Sequence, residues 1–325
     1  MNSLPPTNAC NQVVFFGSSD FSIPPLEFLL DSPSVKLVAV VTTADRPKGR
    51  GLSVQSNPVK ERCQGKNFLV LTPASLKEGD AEKQIASLRP DVFVVASYGK
   101  LIPSSWLQIP SKASFNIHPS LLPKYRGAAP IPWQIINGEK ETGLSIADVT
   151  KELDAGDIFY QTRIPLNDDA TTGSLTQQLS ELSKKGLEEL FAKLEKLERR
   201  PQKGESSYAR KLTKEDGLLD LSEPAVVLER KIRAFHPWPS TFIDYQGNAL
   251  RIIEASVDSI FCSEAESGKL LEITSKGSLR IQTGKGSLLI SKVQLAGRRV
   301  VTGKEFANGE RLKPGVRFKS LSSFK

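Results

Sequence analysis

The first half of the chain alternates between short apolar runs and longer stretches with helical spacing. The apolar runs are rich in β-branched and aromatic residues, which is typical of strands buried on both faces. The stretches between them repeat apolar residues every three or four positions, which indicates amphipathic helices. Strands are predicted over 13–17, 35–43, 68–72, 91–97, 114–118 and 143–149, and helices over 24–30, 78–87, 130–137 and 170–198.

This succession of strand, helix and strand favours right-handed βαβ units. We therefore expect an α/β fold with a Rossmann-like, doubly wound and mainly parallel sheet. Ligands of such sheets bind at the carboxyl ends of the strands. The sequence has no GxGxxG after the first strand and no GxxxxGK[ST], so a dinucleotide or P-loop nucleotide site is poorly supported.

The pattern changes after residue 200. A polar stretch at 202–207 predicts a linker, and 225–234 predicts a short helix. We expect a catalytic domain over 1–200, a linker over 201–214 and a C-terminal domain over 215–325. Two domains agree with the length of the chain, because domains usually have roughly 150 residues. Short runs separated by glycine turns, at 241–245, 250–257, 269–273, 278–283 and 287–294, predict that the C-terminal domain is a small antiparallel, OB-like β-barrel.

The formal net charge of +8 is unevenly distributed along the chain. Residues 1–200 hold 23 basic and 22 acidic groups, whereas residues 201–325 hold 21 and 14. A nearly neutral first part suits a small-molecule site, and a basic second part suits a polyanionic partner. A solvated basic surface without a partner is the alternative interpretation.

The overall composition is that of a globular protein, with 39% hydrophobic and 25% charged residues. No apolar run approaches the roughly 18 residues that a membrane span needs. No basic and apolar leader precedes the first strand, so we expect a cytoplasmic protein without a membrane partner. The three cysteines form no CxxC pair, which argues against a zinc site or a disulfide framework. We expect no metal, and a monomer.

The candidate chemistry begins with the two histidines, His118 and His236. His118 ends a predicted strand two residues after Asn116, so both side chains are expected on one face at the carboxyl edge of the sheet. An amide N–H beside an imidazole suits a developing oxyanion, because the amide donates a hydrogen bond and the imidazole donates one or moves a proton. A turn-capping Asn beside a structural His is the alternative.

The residues around this pair match a known family. The run NIHPSLLPKYRGAAPIPW begins at Asn116, and Asp154 follows 38 residues after Asn116 within LDAGD. This combination resembles the 10-formyltetrahydrofolate-dependent formyltransferase family. Further matches resemble its members that act on methionyl-tRNA, and they extend over nearly the whole chain: FFGSSDFS, ADRPKGRG, SYGKLIP, SYARKLTKEDGLLDL and RAFHPWP. One departure is the loop GSSD at 17–20, where the family more often has Thr-Pro before the Asp.

The resemblance implies roles for individual residues. Asn116 would donate a hydrogen bond to the oxyanion, and a protonated His118 would stabilise the same charge. Asp154 would hold the imidazole and help to move protons through water. Asp157 is more simply explained as a carboxylate that orders its own turn. The folate-binding stretch of the family matches Ser120, Leu121, Leu122 and Pro123.

The resemblance also implies the substrates: 10-formyltetrahydrofolate as the formyl donor and methionyl initiator tRNA as the acceptor. The basic loop at 45–58 matches a family insertion that reaches the acceptor end of the tRNA, and Arg50 holds the matching arginine position. A guanidinium suits phosphate or base-edge contacts. A flexible loop without a partner is the alternative. Contacts with tRNA are expected from Arg46, Lys48, Arg50, Arg298 and Arg299.

Two other functions stay open at this point. An N-formyltransferase that acts on an amino sugar nucleotide or another small amine would use the same catalytic domain. The basic second half and the basic loop count against it. A folate- or RNA-binding module without activity would be expected to lack one of the three catalytic residues, and Asn116, His118 and Asp154 are all present.

Overall fold

The structure is a computed structural model that describes residues 10–48, 53–55, 57–258, 265–321 and 323. Contacts between Cα atoms divide the chain into two compact units. The first unit comprises Met1–Pro130, Glu141–Pro165 and Leu175–Ala209, and the second comprises Ile131–Lys140, Leu166–Ser174 and Arg210–Lys325.

One sheet organises the first unit. Among the described residues it has seven strands in the order β5-β2-β1-β6-β7-β8-β9. The first five of these run parallel, and β8 and β9 are antiparallel to their neighbours. The strands are β1 (Asn11–Gly17), β2 (Val35–Val41), β5 (Leu69–Leu71), β6 (Val92–Ala96), β7 (Ala113–His118), β8 (Glu141–Asp148) and β9 (Ile158–Pro165), while β3 (Arg46–Lys48) and β4 (Ser53–Gln55) form a separate hairpin. The predicted mainly parallel sheet is confirmed.

Aromatic side chains fix the centre of this sheet. Phe16 of β1 packs edge-on against Phe93 of β6, with ring centroids 5.0 Å apart, and against Trp106 at 6.0 Å. Phe115 of β7 packs edge-on against Phe159 of β9 at 5.1 Å. Edge-on aromatic pairs stabilise the fold beyond the burial of their apolar surface. They therefore hold β6 and β7 in place within the sheet. The predicted catalytic residues on β7 come immediately after Phe115.

The helices largely follow the predicted ones. The long helix expected over 170–198 is shorter, because it ends at Ala192 and a separate 3-10 turn covers Leu194–Lys196. Two short helices, at 58–62 and 303–309, were not predicted. The first begins after Asn57, whose Oδ1 accepts a hydrogen bond from the Lys60 N–H and so caps the first turn. The helices are α1 (Ile23–Asp31), α2 (Pro58–Arg62), α3 (Ala81–Ser87), α4 (Pro130–Asn137), α5 (Thr172–Ala192), α6 (Ala225–Ala234) and α7 (Gly303–Gly309).

The second unit contains an antiparallel sheet of six described strands, in the order β10-β11-β14-β13-β12 with β15 paired to β14. The chain at 315–319 bonds to both edge strands. Leu270 N donates to Val316 O at 2.8 Å, and Lys319 N donates to Asp244 O at 3.1 Å. This closes the sheet and confirms the predicted barrel. The strands are β10 (Thr241–Tyr245), β11 (Asn248–Asp258), β12 (Leu270–Ile273), β13 (Leu279–Gln282), β14 (Ser287–Leu295) and β15 (Val301–Thr302).

The compact units do not coincide with the predicted domains. Residues 201–209 of the predicted linker pack with the first unit, and most of α4 and residues 166–174 belong to the second. Compactness does not test where independently folding domains begin. The division at 1–200, 201–214 and 215–325 therefore stays a prediction.

Candidate active site

The three predicted catalytic residues meet at the end of β7. Asn116 Nδ2 donates to Asp154 Oδ1 at 2.7 Å, and Asp154 Oδ2 lies 3.6 Å from His118 Nδ1. The side chains of His118 and Asp154 are each only 5% exposed, so most of the pair is covered by protein. Side chains 38 residues apart in the sequence therefore form one polar cluster. Their catalytic roles stay a prediction.

The register of β7 explains why Asn116 and His118 share this cluster. Asn116 pairs with Ala147 and His118 with Ser145 of β8. Residues two apart in a strand project from the same face, so both side chains reach the loop that holds Asp154. Since β7 is parallel to β6, the cluster lies at the carboxyl edge of the parallel strands, where ligands of such sheets bind.

A main-chain carbonyl and a carboxylate fix the orientation of the His118 ring. Its Nε2 lies 2.8 Å from the carbonyl oxygen of Tyr125. A carbonyl oxygen only accepts, so Nε2 carries the hydrogen of this bond. The other ring nitrogen then faces the Asp154 carboxylate. A second proton, when present, would sit between Nδ1 and that carboxylate.

Asp154 also binds the loop after β7. Its Oδ2 accepts a hydrogen bond from the Gly127 N–H at 2.7 Å. Asp154 (φ 55) and Tyr125 (φ 60) both have left-handed backbone conformations, which are uncommon for residues other than glycine. Such residues occur where the surrounding structure holds them, often at functional sites. The Tyr125 carbonyl and the Asp154 carboxylate, which orient His118, are therefore both held in place by the surrounding structure.

Two glycines allow these loops to approach other main chain. Gly127 has φ +112, and a Cβ there would lie 2.7 Å from the carbonyl oxygen of Ala209. A Cβ on Gly156 would lie 2.0 Å from the carbonyl oxygen of Asp148. These distances explain the glycines in the sequence runs RGAAP and LDAGD.

Side chains of β8 and β9 donate hydrogen bonds to the main chain of the predicted folate-binding stretch. Ser120 Oγ donates to Lys124 O at 2.7 Å, and Ser145 Oγ donates to Ser120 O at 2.6 Å. Gln161 Nε2 donates to Leu122 O at 3.0 Å. Ser120, Leu122 and Pro123 are buried, and Leu121 is half-buried. The stretch thus orders the chain between His118 and Tyr125, and its contact with folate stays a prediction.

The predicted tRNA-binding residues fall in two places. Arg50 lies outside the described residues, and so do the side chains of Arg46 and Lys48, although β3 includes their backbone. Arg298 and Arg299 are exposed in the turn between β14 and β15. Arg298 Nη1 lies 3.0 Å from Glu310 Oε1. These positions do not test whether Arg298 and Arg299 contact tRNA.

Sequence reasoning missed the part that residues 200–209 play in the site. We call these residues the 200–209 segment. Tyr125 N donates to Ser207 Oγ at 2.8 Å, and Arg126 N donates to Ser207 O at 2.9 Å. The segment therefore holds the loop that orients His118. The run SYARKL was the one signal in the sequence for this segment. It indicated a match to the family, but no contact with the loop at 125–126.

A buried hydroxyl follows the end of β6. Tyr98 is 2% exposed, and its hydroxyl has no hydrogen-bond partner among the described residues. Burial raises the pKa of this phenol to about 12, so it stays protonated at neutral pH and remains able to donate. In β8, burial raises the pKa of Asp148, and the nearby Arg199 opposes that shift.

Metal-binding clusters and membrane spans are both missing from the part of the chain that the structure describes. Residues 10–48, 53–55, 57–258, 265–321 and 323 contain no group of three His, Cys, Asp or Glu side chains placed to hold a metal ion. In these ranges, no helix has both the length and the apolar character of a bilayer span.

Two protein families match the sequence, and together they cover both units. The formyl transferase family matches residues 11–190, and the formyl transferase C-terminal domain matches residues 211–311. The fold, the Asn–His–Asp cluster and these matches define a formyl transferase.

Relatives narrow the class further. The methionyl-tRNA formyltransferase of Roseiflexus castenholzii is 40% identical over 312 residues, which are 94% of this chain and 98% of that protein. The methionyl-tRNA formyltransferase of Geobacter sulfurreducens is 37% identical over 315 residues, with 96% and 98% covered. The chain belongs to the methionyl-tRNA formyltransferase family.

Solved structures share the fold at lower identity. HypX from Aquifex aeolicus in complex with tetrahydrofolic acid superposes with a TM-score of 0.62 at 18% identity, covering 96% of this chain and 51% of that one. The N-formyltransferase from Helicobacter canadensis, in complex with folinic acid and dTDP-3-aminofucose, has a TM-score of 0.64 at 18% identity, with 87% and 98% covered. At this identity the likeness concerns the fold alone.

Proposed function

We propose that this protein transfers the formyl group of 10-formyltetrahydrofolate to the free amino group of methionyl initiator tRNA. The product is N-formylmethionyl-tRNA, which serves translation initiation. The observation that supports the chemistry most directly is the hydrogen-bonded cluster of Asn116, His118 and Asp154 at the carboxyl edge of the sheet. The acceptor is supported by relatives of that name, which match both units of the chain.

The residues present suit a folate-borne formyl group. Asn116 Nδ2 uses one hydrogen for Asp154, and its second hydrogen has no acceptor among the described residues, so it is available to a formyl oxygen.

The reaction exchanges one amide bond for another. The amine nitrogen forms a bond to the formyl carbon, and the bond from that carbon to folate N10 breaks. One proton leaves the attacking nitrogen and one proton reaches N10, so the exchange balances without an oxidant or a metal. While both bonds are partly formed, negative charge develops on the formyl oxygen. Removing one donor to such an oxyanion typically costs about 10²–10³ in rate.

The chain's own groups match these demands. Asn116 donates its second amide hydrogen to the developing oxyanion. His118, held by Tyr125 O through Nε2, presents Nδ1 toward the Asp154 carboxylate and stabilises the negative charge when it is protonated. Asp154 keeps the ring and the amide in one arrangement, because it binds Asn116 and lies beside the ring nitrogen. Water at the cluster passes the proton from the amine to N10.

The tRNA would bind through phosphates and its acceptor end. Residues 201–325 hold 21 basic and 14 acidic groups, and exposed cations in a domain of this kind suit a phosphate backbone. Arg298 and Arg299 are the proposed contacts in the barrel. Arg46, Lys48 and Arg50 are the proposed contacts in the loop. We propose a monomeric enzyme that works in the cytoplasm, where charged initiator tRNA is used.

The amino-sugar alternative has no particular observation in its favour. The N-formyltransferase from Helicobacter canadensis is bound to an amino sugar nucleotide, but it shares only 18% identity with this chain. That likeness concerns the catalytic fold, which both acceptor classes would use.

A comparison of acceptors tests the proposal. The purified protein is given 10-formyltetrahydrofolate with methionyl initiator tRNA, methionyl elongator tRNA or a dTDP-amino sugar, and the rate of formylation is measured. We expect the highest kcat/KM with the initiator tRNA. A higher kcat/KM with the amino sugar would overturn the assignment of the acceptor and leave formyl transfer intact.

A further inference from the structure

Gln202, in the 200–209 segment, uses its whole side-chain amide on two loops of the active site. Its Nε2 donates to the carbonyl oxygens of Asp154 at 2.8 Å and Gly156 at 2.7 Å. Its Oε1 accepts from Arg126 Nε at 3.1 Å and Nη2 at 2.7 Å. An amide has two donor hydrogens and one acceptor oxygen, so all of its capacity is used within the first unit.

The two loops that Gln202 joins are the ones that hold the Asp154 carboxylate. On one side, its bonds to the carbonyls of Asp154 and Gly156 fix the main chain around a residue with left-handed backbone. On the other side, Arg126 lies between Tyr125, whose carbonyl binds His118, and Gly127, whose N–H binds Asp154. The distance between the two loops therefore depends on Gln202.

We infer that Gln202 is a positioning residue for formyl transfer, which acts through Asp154. It keeps the main chain at 154–156 at the distance from the main chain at 125–127 that lets the Asp154 carboxylate bind Gly127 N and Asn116 Nδ2 and lie beside His118 Nδ1. Gln202 itself makes contact with main-chain carbonyls and Arg126, and it has no role in proton transfer. This inference rests on the proposed function, since it concerns the same reaction.

Only a side-chain amide of this length can both donate to the two carbonyl oxygens and accept from Arg126. A glutamate at 202 would keep an ion pair with Arg126, but it would turn an acceptor toward two carbonyl oxygens. A leucine of similar size would leave two carbonyl oxygens and one guanidinium without these partners. Small displacements of a catalytic group slow a reaction strongly, and a misplacement of about 1 Å can lower the rate by about 10²-fold.

The experiment is a double-mutant cycle on the full chain. Single-turnover rates, kcat and KM for both substrates are measured for the wild type, Gln202→Leu, Asp154→Asn and the double variant. We expect Gln202→Leu to lower kcat by about 10–100-fold with little change in either KM. In the Asp154→Asn background the same change should cost less than about threefold, because residues that act through each other are not additive. Gln202→Glu serves if the leucine variant does not fold, and we expect the same pattern.

Gln294 offers a matched control in the second unit. It is half-buried like Gln202, its Nε2 donates to Arg298 O at 2.8 Å, and its Oε1 accepts from Arg251 Nη1 at 3.3 Å. Whatever Gln294→Leu costs, the cost should be equal in the wild-type and Asp154→Asn backgrounds.

Three outcomes separate the claims. An active wild type with unchanged kcat in Gln202→Leu overturns the inference alone. Equal losses from Gln202→Leu in both backgrounds also overturn it, because they indicate a structural role independent of Asp154. A wild-type protein that formylates no acceptor overturns the proposed function and the inference together.

Discussion

The substitution Gly127→Ala tests how tightly the active-site loop is held. Gly127 has φ +112, and an added Cβ would lie 2.7 Å from the Ala209 carbonyl oxygen, where ordinary contact begins at 3.4 Å. The loop or the 200–209 segment would have to shift by about 0.7 Å. A shift of that size in the wrong direction stretches the 2.7 Å bond from Gly127 N to Asp154 Oδ2 to the limit of a hydrogen bond.

The magnitude follows from two effects. An alanine with positive φ is strained by roughly 1–3 kcal/mol, which lowers stability. Weakening a hydrogen bond to a charged group costs about 1.5–3 kcal/mol, which corresponds to about 10–100-fold in kcat if the bond positions Asp154 in the transition state. We therefore expect Gly127→Ala to lose both stability and turnover.

Gly204→Ala is the matched control for strain alone. Gly204 lies in the 200–209 segment with φ +100, and a Cβ there would meet nothing within 4 Å. Both variants are assayed for thermal unfolding and for single-turnover formylation at saturating substrates. We expect similar strain in both, with the loss of turnover confined to Gly127→Ala. Wild-type turnover in Gly127→Ala, or an equal loss in Gly204→Ala, would refute the reasoning.

Three further predictions concern other parts of the molecule. Tyr98→Phe should not lower the free energy of unfolding, because the buried hydroxyl has no hydrogen-bond partner among the described residues to lose; a clear loss of stability in thermal unfolding would contradict this. Burial raises the pKa of the Cys63 thiol to about 11, so at pH 8 it should resist alkylation in the folded protein while exposed Cys10 reacts, as peptide mass spectrometry would record. Alanine at both Arg298 and Arg299 should weaken tRNA binding and reduce its salt slope by less than about 1 for each phosphate that no longer meets a cation; an unaltered slope in binding measurements at several salt concentrations would remove this pair from the tRNA surface.

The sequence predicts the parts of the site that depend on periodicity. The two-residue spacing of Asn116 and His118 on an apolar run places them on one face of a strand, and the structure has them there. The strand β9 was not predicted, because Ile158–Pro165 mixes polar and apolar residues at the edge of the sheet. An edge strand has a weaker pattern than a buried one, since part of it meets water.

The remaining groups around the site were beyond sequence reasoning for a physical reason. Tyr125 binds His118 through its carbonyl oxygen, and Gly127 binds Asp154 through its N–H. Every residue has such main-chain groups, so residue type gives no sign of which ones are used. Gln202 lies in a polar stretch typical of a linker, and only the folded chain shows that its amide meets two loops.

The barrel shows the same division between local and long-range features. The strands β10 to β14 follow from apolar runs and glycine turns, as predicted, whereas the short β15 was not predicted. The closing contacts of 315–319 with Asp244 and Leu270 join residues far apart in the sequence. Nothing in the short run GVRFK distinguishes it from a tail, because its partners are main-chain groups on two edge strands.

The central claim is that Asn116 stabilises the charge that develops on the formyl oxygen. The most direct measurement is the single-turnover rate of formyl transfer to methionyl initiator tRNA by Asn116→Ala, with 10-formyltetrahydrofolate saturating and with thermal unfolding and tRNA binding measured on the same protein. We expect a rate lower by about 10²–10³, with tRNA affinity and the folded state preserved. A rate near that of the wild type in a folded variant would contradict the claim.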